Sequence, residues 1–132
     1  MTGDALAAGF EALITGVTVY KDRVPSTPTF PYVFVVTNFP TVAERSLARS
    51  VSARVLRSRT QVVGLTASSV RIVAQKLTDA LEGKRPEVPG WVLGAVESVG
   101  NDQPLLPDED VTINGQHPLY QPFDWVLTGS RS

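Results

Sequence analysis

Residues Gln61 to Gly83 (QVVGLTASSVRIVAQKLTDALEG) constrain the fold more than any other stretch, because they read as a strand running straight into a capped amphipathic helix. Gln61, Val63 and Leu65 alternate with Val62, Gly64 and Thr66, the period of two expected of a sheet. Thr66 or Ser68 can accept the free amide hydrogens at a helix start. Val70, Val73, Leu77 and Leu81 then fall at spacings of three, four and four, on one helical stripe. Gly83 stands where a left-handed residue ends a helix, and Pro86 forbids its return. Nothing in the unit is reactive, so it is a packing device and function must lie around it.

The chain has 132 residues, enough for one domain that buries roughly two thirds of its unfolded surface. An apolar fraction of 42% with 19% charged residues suits a globular chain. The formal charge of −1 gives no bulk attraction to nucleic acid or membrane. There is no cysteine, which removes disulfides, thiolate metal sites and cysteine nucleophiles together. The first residues, MTGDALAAGFEALITG, lack a basic leader, and no apolar run approaches the roughly 20 residues that span a bilayer. These features lead us to expect a protein made and kept in a cytoplasm.

Elsewhere, Asp4 to Ile14 reads as a helix with Leu6, Phe10 and Leu13 on one face and Gly16 as its stop. Val17 to Tyr20 reads as a short strand, and Asp22 to Pro31 as a loop set by Pro25, Pro28 and Pro31. Tyr32 to Thr37 (YVFVVT) is apolar on both faces, which predicts a central strand covered on each side. The short connection between these two strands predicts antiparallel neighbours. Asn38 to Ser58 matches neither period and is read as a long hairpin arm or mobile loop, about residues 39–58. Trp91 to Val99 alternates as a strand. Gly100 to Gln121 is polar and proline-studded, with strand pieces near Val111 to Ile113, and Phe123 to Thr128 sets Phe123, Trp125 and Leu127 on one face. The sum is a single α+β domain: one mixed or antiparallel β-sheet packed against two main α-helices, carrying an extended arm.

The sharpest charge feature is Arg45, Arg49, Arg54, Arg57 and Arg59, five arginines opposed only by Glu44. They read either as a docking surface for an acidic partner or phosphate, or as a solvated hairpin kept soluble by charge. No aromatic residue lies among them, so a base-stacking platform is unsupported. An acidic set exists at Asp102, Asp108, Glu109 and Asp110, and contact between the two sets across a subunit boundary is one expectation. Asp108, Glu109 and Asp110 lack the spacing and glycine of a calcium loop and read as an exposed polar turn. His117 is the sole histidine; the serines nearest it at the C-terminus, Ser130 and Ser132, are read as a terminal tail, and no G-x-S-x-G turn or phosphate-cradling motif occurs. Trp91 and Trp125 sit in apolar alternations and read as core or interface anchors. The residue chemistry therefore argues against an enzyme and predicts no catalytic, cofactor or metal site.

With these segments laid out, the chain resembles the tail terminator (tail completion or minor tail) proteins of long-tailed bacteriophages over nearly its whole length. The resemblance rests on diffuse patterns: Val19-Tyr20, Pro25 and Phe30-Pro31-Tyr32 at the opening, Gln61-Val62-Val63-Gly64 before a helix ending Leu77-Thr78-Asp79-Ala80-Leu81, then Asp108 to Val111, Pro118 and a closing strand ending Leu127-Thr128. Where related members place an aromatic before the Gln-Val pair, this chain has Thr60, and its arginine arm is longer and more basic. The resemblance implies a homohexameric ring at the head-proximal end of the virion tail, assembled in the host cytoplasm. Such a ring caps the tube, blocks further addition of the major tail tube protein and offers a surface to the head–tail connector protein, while DNA passes through its lumen unread. The family's flexible loop corresponds to Phe39 to Ser58. That suggests Arg45, Arg49, Arg54, Arg57 and Arg59, with Asp108, Glu109 and Asp110, as assembly contacts. Deleting Val42 to Arg57 is then expected to spare the fold. Two alternatives remain at this point: another neck protein such as a head–tail stopper, and a phosphate- or nucleic-acid-binding module using the arm.

Overall fold

The computed structural model describes residues 2–38, 41–45, 51–100, 103–113 and 115–131. In chain order they form α1 (Thr2–Glu11), β1 (Val19–Lys21), β2 (Tyr32–Thr37), β3 (Thr41–Arg45), β4 (Val51–Gly64), α2 (Ala67–Leu81), β5 (Trp91–Leu93), β6 (Glu97–Ser98), β7 (Leu106–Pro107) and β8 (Leu119–Arg131). The strands make one mixed sheet in the order β1-β2-β4-β8-β5, with β3 beside β4 and both β6 and β7 beside β8. Both helices pack on the same face of that sheet in a single cluster of buried side chains. The fold is α+β, as the sequence predicts.

The strand-to-helix unit forms as its spacing requires. The Ser69 N–H donates to Thr66 Oγ1 at 3.1 Å, and the Thr66 N–H donates to Ser69 Oγ at 3.3 Å. Two orphan amides are thus satisfied reciprocally. Val70, Val73, Leu77 and Leu81 are all buried, each contributing about 1.5–3 kcal/mol by leaving water. Gly64 is fixed by close approach: a Cβ there would stand 2.5 Å from Ser69 Oγ and 3.0 Å from Val70 Cγ2. Gly83 adopts φ +75°, and its N–H donates to the Val96 carbonyl as the chain leaves the helix.

The β4–β8 pair is the spine of the sheet, with antiparallel register from Ala53↔Ser130 to Gly64↔Leu119. Leu56, Ser58, Thr60 and Val62 point from β4 to the helices and are buried, as are Phe123, Trp125 and Leu127 of β8. Thr60 answers a specific need there. The Trp125 indole N–H donates to its hydroxyl at 2.9 Å, and the hydroxyl donates onward to the Phe123 carbonyl at 3.1 Å. A buried indole N–H without such an acceptor costs about 1–3 kcal/mol. Nearby, Thr37 Oγ1 donates to Glu11 at 2.7 Å and lies 3.1 Å from Ser58 Oγ, tying α1 to the sheet.

Several expectations are corrected. The helix α1 begins and ends earlier than Asp4 to Ile14, and Ile14 rather than Leu13 completes the buried stripe with Leu6 and Phe10. Its last turn tightens, Leu13 and Ile14 donating to the carbonyls three residues back. Strands β1 and β2 are parallel neighbours, Val19↔Val33 to Lys21↔Val35, and not antiparallel. Because β1 is three residues long, the returning chain need cover only about 10 Å, which the loop 22–31 does without a helix. The outer face of β2 is covered at Tyr32 but leaves Val36 40% exposed, so the strand is not sheathed throughout.

The arm and the body are also less separate than expected. The hairpin exists, β3 pairing antiparallel with β4 from Thr41↔Val55 to Arg45↔Val51. Its returning strand, however, runs unbroken through the body to Gly64. Deleting Val42 to Arg57 would remove the buried Leu56 and part of the β4–β8 ladder, so it would damage the fold rather than spare it. The expected strand at Trp91 to Val99 is broken into β5 and β6: Gly94 still donates to Thr128 of β8, but Val96 turns away to donate to Lys84 before pairing resumes at Glu97↔Val126. The strand piece expected near Val111 to Ile113 is reduced to one bridge, Ile113↔Gln116. Strand β8 begins at Leu119, four residues before Phe123, and carries Ser130 inside it, so that residue is no tail. Its Pro122 falls between the stretches that β6 and β7 cover, where the missing N–H breaks no described pairing.

Candidate functional site

Alternation along β4 decides where the arginines go. With the even positions from Leu56 to Val62 turned to the core, Arg57 and Arg59 stand exposed on the outer face. Arg54 has the opposite parity and lies half-buried between Val42 of β3 and Gly129 of β8. Arg45 closes β3; its side chain, like all of Arg49 and Asp102, lies outside the described residues. The arginines thus divide among different environments along one ribbon.

Arg59 faces Asp124 directly across the β4–β8 register. Its Nε and Nη2 donate to Oδ1 and Oδ2 at 2.8 and 2.9 Å, a two-pronged fork on one carboxylate. Hydrogen bonding to Arg59 holds the Asp124 carboxyl below the usual range, and the same fork raises the guanidinium further. The Arg59 side chain is 60% exposed, so solvent screens the pair and it is worth at most about 1 kcal/mol. Asp124 was not singled out from the sequence, because 65 residues separate it from Arg59 and only the register brings them together. Beside the pair, Asn38, Arg57 and Val99 line a shallow cleft of about 300 Å³.

Asp108, Glu109 and Asp110 form the turn after β7. The Asp108 N–H donates to the Pro118 carbonyl at 2.8 Å, and Asp108 Oδ1 accepts from the Asp110 N–H at 3.2 Å. The carboxylate-bearing turn is therefore pinned to the foot of β8, with Glu109 and Asp110 exposed. Asp108 lies near Tyr32, whose pKa is raised by burial first and then by the Asp108 charge and by Tyr20. Among the described residues, no three His, Asp or Glu side chains gather to hold a metal ion.

His117 is exposed, and its Nδ1 sits 2.7 Å from the Val111 carbonyl. Ser130 lies at the far end of β8, opposite Ala53, so the structure does not join the two in a catalytic pair. Trp125 is 1% exposed and anchors the core, while Trp91 is half-buried against it. No described helix is long and apolar enough to cross a membrane.

Comparison with solved structures gives a likeness of fold over the whole chain. A chain from the virion of a native gene transfer agent particle superposes with TM-score 0.57 at 18% identity, covering 96% of this chain and 90% of that one. A second solved chain, of unstated role, matches with TM-score 0.57 at 18% identity over 96% of each. The shared property is the fold. No protein-family model and no curated protein sequence matches the chain. What the described surface offers is chemically simple: exposed guanidinium groups, exposed carboxylates and scattered apolar side chains on sheet edges and turns. Such a surface is suited to contact.

Proposed function

We propose that this chain is a non-enzymatic structural protein of a phage-like virion, acting at the head-proximal end of the tail. In this reading it caps the finished tail tube as a homohexameric ring, stops addition of tube protein and presents a surface to the head–tail connector. DNA crosses the lumen without being read. The observation that carries the proposal is the end-to-end likeness of fold to a virion chain, with 96% and 90% of the two chains covered.

The test is a virus carrying a trimmed hairpin. Replacing residues 43–53 with Asn-Gly keeps Val42 opposite Arg54 across a two-residue turn. It also removes Arg45 and Arg49 and leaves Leu56 in place. Tails of abnormal length, seen by negative stain, are the expected outcome. Tails of normal length would sink the role of the hairpin in capping, and a wild-type protein that never binds purified tubes would sink the capping function itself. Binding to the head-side connector but not to tubes would favour a stopper. Salt-sensitive DNA binding would favour the nucleic-acid module.

A further inference from the structure

The sheet places two oppositely charged regions where they cannot satisfy each other within one subunit. The basic region is the β3–β4 hairpin with the adjoining part of β4, bearing Arg45 at the end of β3 and the exposed Arg57. The acidic region is the turn Asp108–Glu109–Asp110, and no lysine or arginine lies between residues 101 and 130 to offset it. Along the ribbon, Ala53↔Ser130 marks the hairpin end and Gly64↔Leu119 the other, where β7 pairs with Leu119 and Tyr120. Along β4, Arg57 stands seven residues from Gly64 and Val51, the partner of Arg45, thirteen, about 23 Å and about 43 Å at a strand rise of about 3.3 Å per residue. Both spans exceed side-chain reach and two screening lengths of about 8 Å. Asp108 cannot swing across the gap, since its N–H is bonded to Pro118 at 2.8 Å.

Each end also exposes apolar side chains that the fold leaves uncovered. Val92, paired with Ser130 at the hairpin end, is 61% exposed. Leu106 and Val111 flank the acidic turn at 44% and 37% exposed. Apolar surface beside complementary charge is the composition of an interface centre with a polar rim.

The geometry points to a head-to-tail contact between copies of this chain, in which the basic hairpin end of one subunit seats on the acidic 108–110 turn of the next. The occupant is a second copy because the charge sign, its position at the opposite end and the exposed apolar residues at both ends complement one another. A contact joining different patches propagates from subunit to subunit and closes into a ring where the rotation allows. The inference rests on the ring reading above and supplies its subunit boundary.

The experiment reads assembly by sedimentation velocity and native mass spectrometry. Its samples are the full-length wild type, Arg45→Glu with Arg57→Glu, Asp108→Lys with Glu109→Lys and Asp110→Lys, and an equal mixture of the two variants. Circular dichroism and Trp125 fluorescence report whether each is folded, and single Arg57→Glu and Glu109→Lys variants replace any that is not. Wild type is expected to assemble beyond a dimer at low salt and to come apart as salt rises. Each charge-reversed variant should associate at least tenfold more weakly, and the mixture should recover assembly because both contacts are restored between unlike copies. The contact is overturned if folded variants assemble like wild type, if the mixture recovers nothing, if wild type stays monomeric, or if assembly stops at a dimer. Tube capping is scored separately. A charge-reversed variant that fails this assay yet still caps tubes leaves the ring reading standing and removes only the proposed boundary.

Discussion

The two faces of β4 use neighbouring residues for opposite ends. On the inner face, Leu56, Ser58, Thr60 and Val62 are at most 5% exposed and meet both helices, so each is specified by volume and hydrogen bonding. On the outer face, Arg57 and Arg59 meet water, and Arg59 forks onto the half-buried Asp124 carboxylate. The difference shows that a buried apolar face and an exposed charged face can share one strand without competing. Buried contacts set the shape, while alternate positions keep their charge in water.

If that division holds, substitutions on the two faces should separate widely in their effect on stability. Trp125→Ala, on the inner face, removes the largest fully buried side chain and is expected to cost about 3–5 kcal/mol in chemical denaturation. A loss under about 1 kcal/mol would break the comparison. Thr60→Val leaves the Trp125 indole N–H without its acceptor and should cost about 1–3 kcal/mol. Adding Trp125→Phe to Thr60→Val should cost less than the two single effects added together, because the unsatisfied donor is gone.

The outer face should respond weakly. Asp124→Asn is expected to lower stability at pH 7 by about 1 kcal/mol or less. The folded carboxyl is held below its usual value, so the pair's contribution is present above the unfolded value of about 3.9. It is lost as pH falls through the folded pKa, and wild type and variant should converge in acid. A gap that widens on acidification would contradict the assignment. Smallest of all, Arg57→Ala should change stability by no more than about 0.5 kcal/mol. A larger loss would mean that the outer face also holds the fold together.

Parts of this division are legible in the residues. The helix α2 follows from Val70, Val73, Leu77 and Leu81, and its cap from Thr66, because an amphipathic stripe and a capping hydroxyl are local signals. Strand β2 keeps its expected limits, Tyr32 to Thr37, for the same reason. The part of β4 before Gln61 is not legible, because its inner positions include Ser58 and Thr60 and its outer ones Arg57 and Arg59. Such a strand has no apolar alternation and exists because β2, β3 and β8 supply its hydrogen-bond partners. Of the candidate assembly residues, the sequence locates the charge, but their environments depend on register: Arg59 meets Asp124, Arg57 meets solvent, and Arg54 is half-buried.

Sequence by itself determined the α+β class, the capped helix, the apolar stripes of β2 and β8 and the presence of two opposed charge sets. Each is written in spacing or composition within a few residues. Tertiary structure decided that β1 runs parallel to β2, that the hairpin strand and the body strand are one, and that the basic and acidic regions lie at opposite ends of a ribbon. Those facts depend on which distant backbone groups pair. Pairing is settled by the packing of the whole sheet, which no short stretch of residues encodes.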